Sequence, residues 1–166
     1  MKWILERSQS KMRLRENYTK GEIDMTRVIS VKKKTRNRYF NPNPKKLETG
    51  DCVVRAMCKA TGKDWDTVYR ELFELGFELK CMPNSDEVWK EYLVRNGFIL
   101  RKMVIKKGDK RLRVAQFAEK FKKGTYVLNV ANHIVTCQDG YYYDSWDCGN
   151  KSMYNYYEKP TNEGGK

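Results

Sequence analysis

Apolar positions change period once along the chain, and the change divides it. Between residues 52 and 97 they recur at helical spacing, in three runs. Val53, Ala56, Met57 and Ala60 mark one face of a helix that begins at Cys52, after the break at Thr49-Gly50-Asp51, and stops at Gly62. Asp64 caps a second helix with Trp65, Val68, Tyr69, Leu72, Phe73 and Leu75 on its apolar side, and Gly76 is expected to end it. Asn84 or Ser85 caps a third, with Val88, Trp89, Tyr92 and Leu93 inward and Gly97 past its end. Phe98 to Val104 reads as a strand, and Val114 to Lys122 as a short helix ending near Gly124. From there the period becomes two. Thr125 to Ala131, His133 to Gln138, Tyr141 to Asp144 and Met153 to Tyr157 are β segments, with Asp139-Gly140 a hairpin turn between the middle two. Helices followed by an antiparallel meander predict an α+β fold.

The front of the chain follows neither period. Residues 1–38 are polar and basic and read as a weakly ordered extension, of which Val31 to Arg38 is a solvated strand edge or arm. Lys20-Gly21-Glu22 can be encoded by a ribosome-binding string just ahead of Met25, so two readings stay open, an ordinary N-terminus at Met1 and a start at Met25 with residues 1–24 upstream of it. Tyr39-Phe40-Asn41-Pro42-Asn43-Pro44 is an extended lead-in, because each proline biases the residue before it away from helix. The expected organisation is therefore an extension over 1–38, one domain over 39–158, and a flexible tail over 159–166. A chain of 166 residues suffices for one core.

Charge sharpens the division. The net charge is +13, and residues 1–46 carry +10 of it, so a nucleic-acid reading belongs to the front end. There Lys32, Lys33, Lys34, Arg36 and Arg38, beside Tyr39 and Phe40, are suited to clamp phosphates and stack a base. Met1-Lys2-Trp3-Ile4-Leu5 runs at once into Glu6 and Arg7, so no apolar export segment develops. No apolar run is long enough to span a bilayer, and the expectation is a cytoplasmic chain without a membrane partner. Five cysteines, Cys52, Cys58, Cys81, Cys137 and Cys148, lack the close pair spacing of a zinc knuckle, and their odd number argues against a disulfide framework. By ligand type alone Cys52, Cys58, His133 and Cys137 would make a metal set, but neither metal nor cofactor is expected.

His133 is the chain's single histidine and hence its single ordinary base near neutral pH. With Asp139-Gly140 as a two-residue turn, residue 135 faces residue 144, which puts Asp144 about two positions from His133 at the same end of the hairpin. Asp144 is therefore the expected orienter of the ring, with Asp147 the fallback. Asn132 is expected on the opposite face by strand alternation. Cys52, at a helix start, gains partial positive charge that favours its thiolate. Together the three side chains predict nucleophilic acyl transfer, with Cys52 attacking, His133 moving the proton and Asp144 fixing the tautomer. The Cys52 backbone N–H supplies half an oxyanion hole, and a side-chain amide from the preceding segment the other half.

An Asp-Cys pair (Asp51-Cys52) opening a buried helix, then His133 opening a strand, then Asp144 closing the next, resembles the papain-like cysteine peptidases. It resembles in particular the compact bacteriocin-processing peptidase domains, over about residues 39–157. The resemblance implies a helical lobe carrying the nucleophile helix packed on a C-terminal antiparallel sheet, a Cys52-His133-Asp144 triad, and a peptide or protein substrate. It also implies a glutamine six residues before the nucleophile, where this chain has Lys46. Asn41 or Asn43, held by neighbouring prolines, and Asp51 are the expected supports instead. The Asp144-Ser145 ending lacks the proline that often follows the family's aspartate. Two other functions stay open: a papain-like fold that grips a partner protein without cleaving it, and nucleic-acid binding through the basic arm.

Overall fold

The computed structural model describes residues 35–103, 108 and 110–161. Lys32, Lys33 and Lys34, the rest of the extension up to residue 34, Val104 and the tail from residue 162 lie outside the described residues. The fold is α+β, with three helices packed on a six-stranded, mostly antiparallel mixed sheet of order β1-β5-β4-β3-β6-β2. Its elements are β1 (Asn37–Tyr39), α1 (Cys52–Thr61), α2 (Trp65–Leu79), α3 (Asp86–Arg95), β2 (Ile99–Lys102), α4 (Val114–Lys120), β3 (Thr125–Val130), β4 (His133–Gln138), β5 (Tyr141–Asp144) and β6 (Met153–Lys159). No helix among the described residues is long and apolar enough to cross a membrane.

Strand alternation divides the core between two faces. Val127, Ile134 and Tyr157 meet the helices α1 to α3, through Met57, Val68, Leu72, Val88, Trp89 and Leu93. Leu128, Val135, Cys137, Tyr142 and Met153 meet α4 through Val114, Phe117 and Ala118. The Thr136 hydroxyl donates to the Ala56 carbonyl at 2.6 Å, tying β4 to α1 in the buried layer. Asp139 and Gly140 both adopt positive φ, +49° and +80°, the primed turn that two-residue hairpins favour. The pairs Thr136↔Tyr143, Cys137↔Tyr142 and Gln138↔Tyr141 follow the register expected from that turn.

The structure corrects two expectations about the elements. First, the sheet is not wholly antiparallel. β1 pairs parallel with β5, Asn37 beside Tyr142 and Tyr39 beside Asp144. Three residues are too few to show a period, and β1 is held by backbone bonds such as Phe40 N–H to the Asp144 carbonyl, 2.9 Å. Second, Gly76 does not end α2, which runs on to Leu79 and turns out at Lys80 with φ +58°. Gly76 is a buried packing glycine. A Cβ there would lie 2.7 Å from the Cys81 carbonyl oxygen and 3.3 Å from the Pro83 nitrogen. The missing side chain lets the Cys81–Pro83 backbone lie against α2. We expect Gly76→Ala to cost about 1–3 kcal/mol by overpacking, read as a lower urea midpoint; an unchanged midpoint would mean that this backbone yields freely.

Candidate active site

The sulfur of Cys52 sits on the first residue of α1. Asp51 holds the N-cap position, yet its side chain makes no capping bond, so the first-turn N–H groups keep their partial positive charge beside the thiol. Instead the Asp51 carboxylate accepts from the Arg55 guanidinium through Oδ1 and from Trp65 Nε1, at 3.0 Å, through Oδ2. Arg55, one turn further along α1 and 6% exposed, reaches in the other direction to Asp144 Oδ1 at 3.2 Å. A buried arginine is thus shared by two carboxylates, one on its own helix and one on β5.

Asp144 is fixed from four sides. Its backbone lies between β1 and β4, Oδ1 accepts from the Ser145 N–H at 2.8 Å as well as from Arg55, and Oδ2 meets His133 Nε2 at 2.5 Å. Burial works against the carboxylate charge, but His133, the Ser145 N–H and Arg55 outweigh it, so the Asp144 pKa lies below the ordinary carboxylate value. Nε2 is occupied by Asp144, and the thiols of Cys52 and Cys148 stand beside the same ring. Burial tends to neutralise the imidazole. The hydrogen bond to Asp144, contacts with the Cys148 and Cys52 thiols and the Asp144 charge prevail, and hold its pKa well above the usual histidine range. For Cys52 burial pulls upward; the His133 hydrogen bond and charge, the Ile134 N–H and the Arg55 charge bring the thiol below its ordinary value. The arrangement therefore favours a thiolate beside an imidazolium.

The loop after Asp144 does curl back, but it brings other residues than expected. Trp146 covers the His133 ring, centroids 5.2 Å apart. Asp147 faces away, accepting from the Tyr142 hydroxyl at 2.6 Å and from the Gly149 N–H at 2.9 Å, so the fallback orienter is committed elsewhere. Cys148, to which spacing in the sequence assigns no role, lies buried with His133 and Asp144, the three donor atoms within 4.8 Å of one another. These are the donors a zinc ion uses, and two of them are already engaged, the Asp144 carboxylate with Arg55 and with His133 Nε2. The set Cys52, Cys58, His133 and Cys137 is not gathered: Cys58 belongs to the core under the helices and Cys137 to the core under α4. All five cysteines are free thiols.

The expected supports before α1 are not brought to the cleft. Asn41 donates through Nδ2 to the Leu47 carbonyl and accepts from the Asn43 N–H, while Asn43 accepts from the Lys45 N–H. Lys46, at φ +54°, sends its ammonium back to the Asn41 carbonyl at 3.0 Å. The segment turns Asn41 and Lys46 onto itself, and none of the three lines the cavity of about 750 Å³ that holds Cys52 and His133, although Asn43 lines the one beside it. That cavity is lined by three other asparagines, Asn84, Asn129 and Asn132, instead. Asn132 stands in the two-residue turn before β4, at φ +53°, so the alternation rule expected to turn it away does not apply to it. Of the basic arm, Arg36 donates to the Gly140 carbonyl at 3.2 Å and Arg38 lies 4.1 Å over the Tyr141 ring, both packed on the β5 hairpin. Comparison with protein-family models, with curated proteins and with solved structures finds no match to this chain.

Proposed function

We propose that the protein is a cysteine hydrolase with papain-like architecture, acting on a peptide, isopeptide or related amide bond. The observation that carries this reading is the order Cys52, His133, Asp144. A thiol with lowered pKa at an uncapped helix start faces an imidazole whose Nε2 is held by a buried carboxylate at 2.5 Å.

In this reading the Cys52 thiolate attacks the carbonyl carbon, forming the C–S bond while the carbonyl electron pair moves to oxygen. The pair returns as the C–N bond breaks, and His133 gives its proton to the departing amine. Neutral His133 then takes a proton from water, whose oxygen attacks the thioester and releases the acid and the Cys52 thiolate. Asp144 holds the ring and balances the imidazolium throughout. A second, more apolar cavity of about 510 Å³ adjoins the cleft across Gly50, Val53 and Asn84, and exposes Tyr69, Phe73 and Met82. Apolar side chains of a substrate lying across Cys52 would enter it.

The test uses p-nitrophenyl acetate as a general acyl donor. The expected result is an acetyl adduct mapped by mass spectrometry to Cys52, with nitrophenolate release lost in both Cys52→Ala and His133→Ala. Acetylation spread over the cysteines, or release that survives in Cys52→Ala, would overturn the proposal and favour a fold that binds a partner without cleaving it.

A further inference from the structure

We infer that Asn84 is the second oxyanion donor of this site, holding the substrate's acyl oxygen opposite the Cys52 backbone N–H. The inference rests on Cys52 being the nucleophile, and it replaces the donor expected from the segment before α1.

Charge moves in a defined direction here. When a thiolate attacks a carbonyl, the leaving group must face the acid, here His133, and the developing oxyanion points to the other side of the reacting carbon. Three asparagines line the cleft. Asn129 pairs with Ile134, and Asn132 directly precedes His133, so both stand on the imidazole's own wall. Asn84 comes from the opposite wall. It lines the cleft together with Gly50 and Val53, which bracket Cys52, and it lines the adjoining cavity with the same two residues and Asp51. Its place is the rim where both cavities meet the start of α1. The start of α1 carries first-turn N–H groups that the Asp51 side chain does not cap, and with them partial positive charge.

A donor of this kind needs a backbone fixed in position before the reaction, and Asn84, itself exposed, stands on one. Asn84 is the corner of a turn closed by the Ser85 N–H to the Met82 carbonyl, 2.8 Å, and Ser85 opens α3. Behind the turn the Cys81–Pro83 backbone is pressed on Gly76 of α2, with the Cys81 N–H donating to the Gly76 carbonyl at 2.9 Å. The turn is thus clamped between two helices, and the glycine that fails to end α2 is what permits the clamp. Lys46 and Asn41 are spent on their own loop, and Asn43 lines the adjoining cavity but not the cleft that holds Cys52 and His133, so the helical side of that cleft offers Asn84 as its asparagine. A carboxamide suits this role because its N–H donates and, being neutral, it leaves the thiolate–imidazolium pair undisturbed.

The experiment separates acyl transfer, which passes through an oxyanion, from alkylation, which does not. With p-nitrophenyl acetate, Asn84→Ala is expected to lower turnover about 10²-fold, while iodoacetamide alkylation of Cys52 stays within about twofold of wild type, since thiolate formation does not depend on the oxyanion donor. Asn84→Asp should fall at least as far, because a carboxylate accepts where a donor is needed; Asn84→Gln should recover part of the loss. Turnover unchanged in Asn84→Ala, or lowered instead by Asn129→Ala or Asn132→Ala, overturns the assignment. Slow alkylation of Cys52 in the wild type would remove the nucleophile reading itself, and is told apart because it appears without any change at Asn84.

Discussion

At pH 6 iodoacetamide should modify Cys52 about 10- to 100-fold faster than Cys81, the other partly exposed thiol, and leave Cys58, Cys137 and Cys148 essentially untouched. A thiol of ordinary pKa is under about 1% ionised at that pH, whereas Cys52 shares its proton with an imidazole that binds it more tightly. The advantage falls short of the full ratio of thiolate fractions because a thiolate of lower pKa is a weaker nucleophile. Cys58 and Cys137 are disfavoured twice, being buried and pushed up to about 12 by that burial. The sign with pH follows from the two shifts. Reactivity appears as pH rises through the lowered Cys52 value and persists at higher pH while His133 keeps its proton. His133→Ala should return Cys52 to an ordinary thiol profile. Asp144→Ala should do so in part, because the ring then loses its hydrogen-bond partner and the opposing charge. Equal labelling of Cys52 and Cys81, or labelling of Cys52 indifferent to His133, would show that no ion pair forms; peptide mapping of all five cysteines reads the result.

The residues in that experiment were legible in the sequence, and the reason is local. A helix start and a two-residue hairpin are specified by neighbours in the chain, so the first residue of α1 and the register of β4 with β5 follow from Gly50-Asp51 and Asp139-Gly140. What surrounds the three side chains was not legible, because it depends on contacts between distant segments. Arg55 has no role in the sequence pattern between Val54 and Ala56, and only the fold shows that Asp144, 89 positions away, pairs with it in the interior. A hint lay in Asp51 four residues before it, the spacing of a helical ion pair. Gly76 carries the signature of a helix stop, but its use is the close approach of the turn that bears Asn84. β1 begins in the stretch that reads as a solvated strand edge or arm, and its partner β5 and parallel direction rest on backbone bonds that no side-chain pattern announces. Cys148 had no spacing partner, and the loop from Ser145 alone carries it to the imidazole.

Arg55→Met is expected to destabilise the protein by about 3–5 kcal/mol at neutral pH, the cost of leaving buried charge without its partner. Methionine keeps much of the side chain's length and apolar contact, so the loss measures charge rather than a cavity. Two carboxylates depend on this guanidinium: Asp51, also held by Trp65, and Asp144, also held by His133 and the Ser145 N–H. Asp144 has its pKa lowered by the fold, so its pairing contributes stability above the unfolded value of 3.8 and loses it as pH falls through the folded value. Removing Arg55 takes away part of that lowering. The difference between wild type and Arg55→Met should therefore be largest near pH 7 and narrow below about pH 4, where Asp144 protonates in the variant first. Urea unfolding at a series of pH values reads this directly, and a constant difference across the series would assign the loss to packing. Arg55→Lys separates the two roles of the residue. A single ammonium cannot bridge both carboxylates with the fork of a guanidinium, so it should recover stability only in part. The same variant should leave Cys52 less reactive than wild type at pH 6, since Arg55 both steadies the carboxylate behind His133 and adds its own charge to the thiolate. Stability restored by lysine together with full thiol reactivity would confine Arg55 to the fold. Stability restored with reactivity still low would make it the link through which the helix that carries Cys52 positions the strand that carries Asp144.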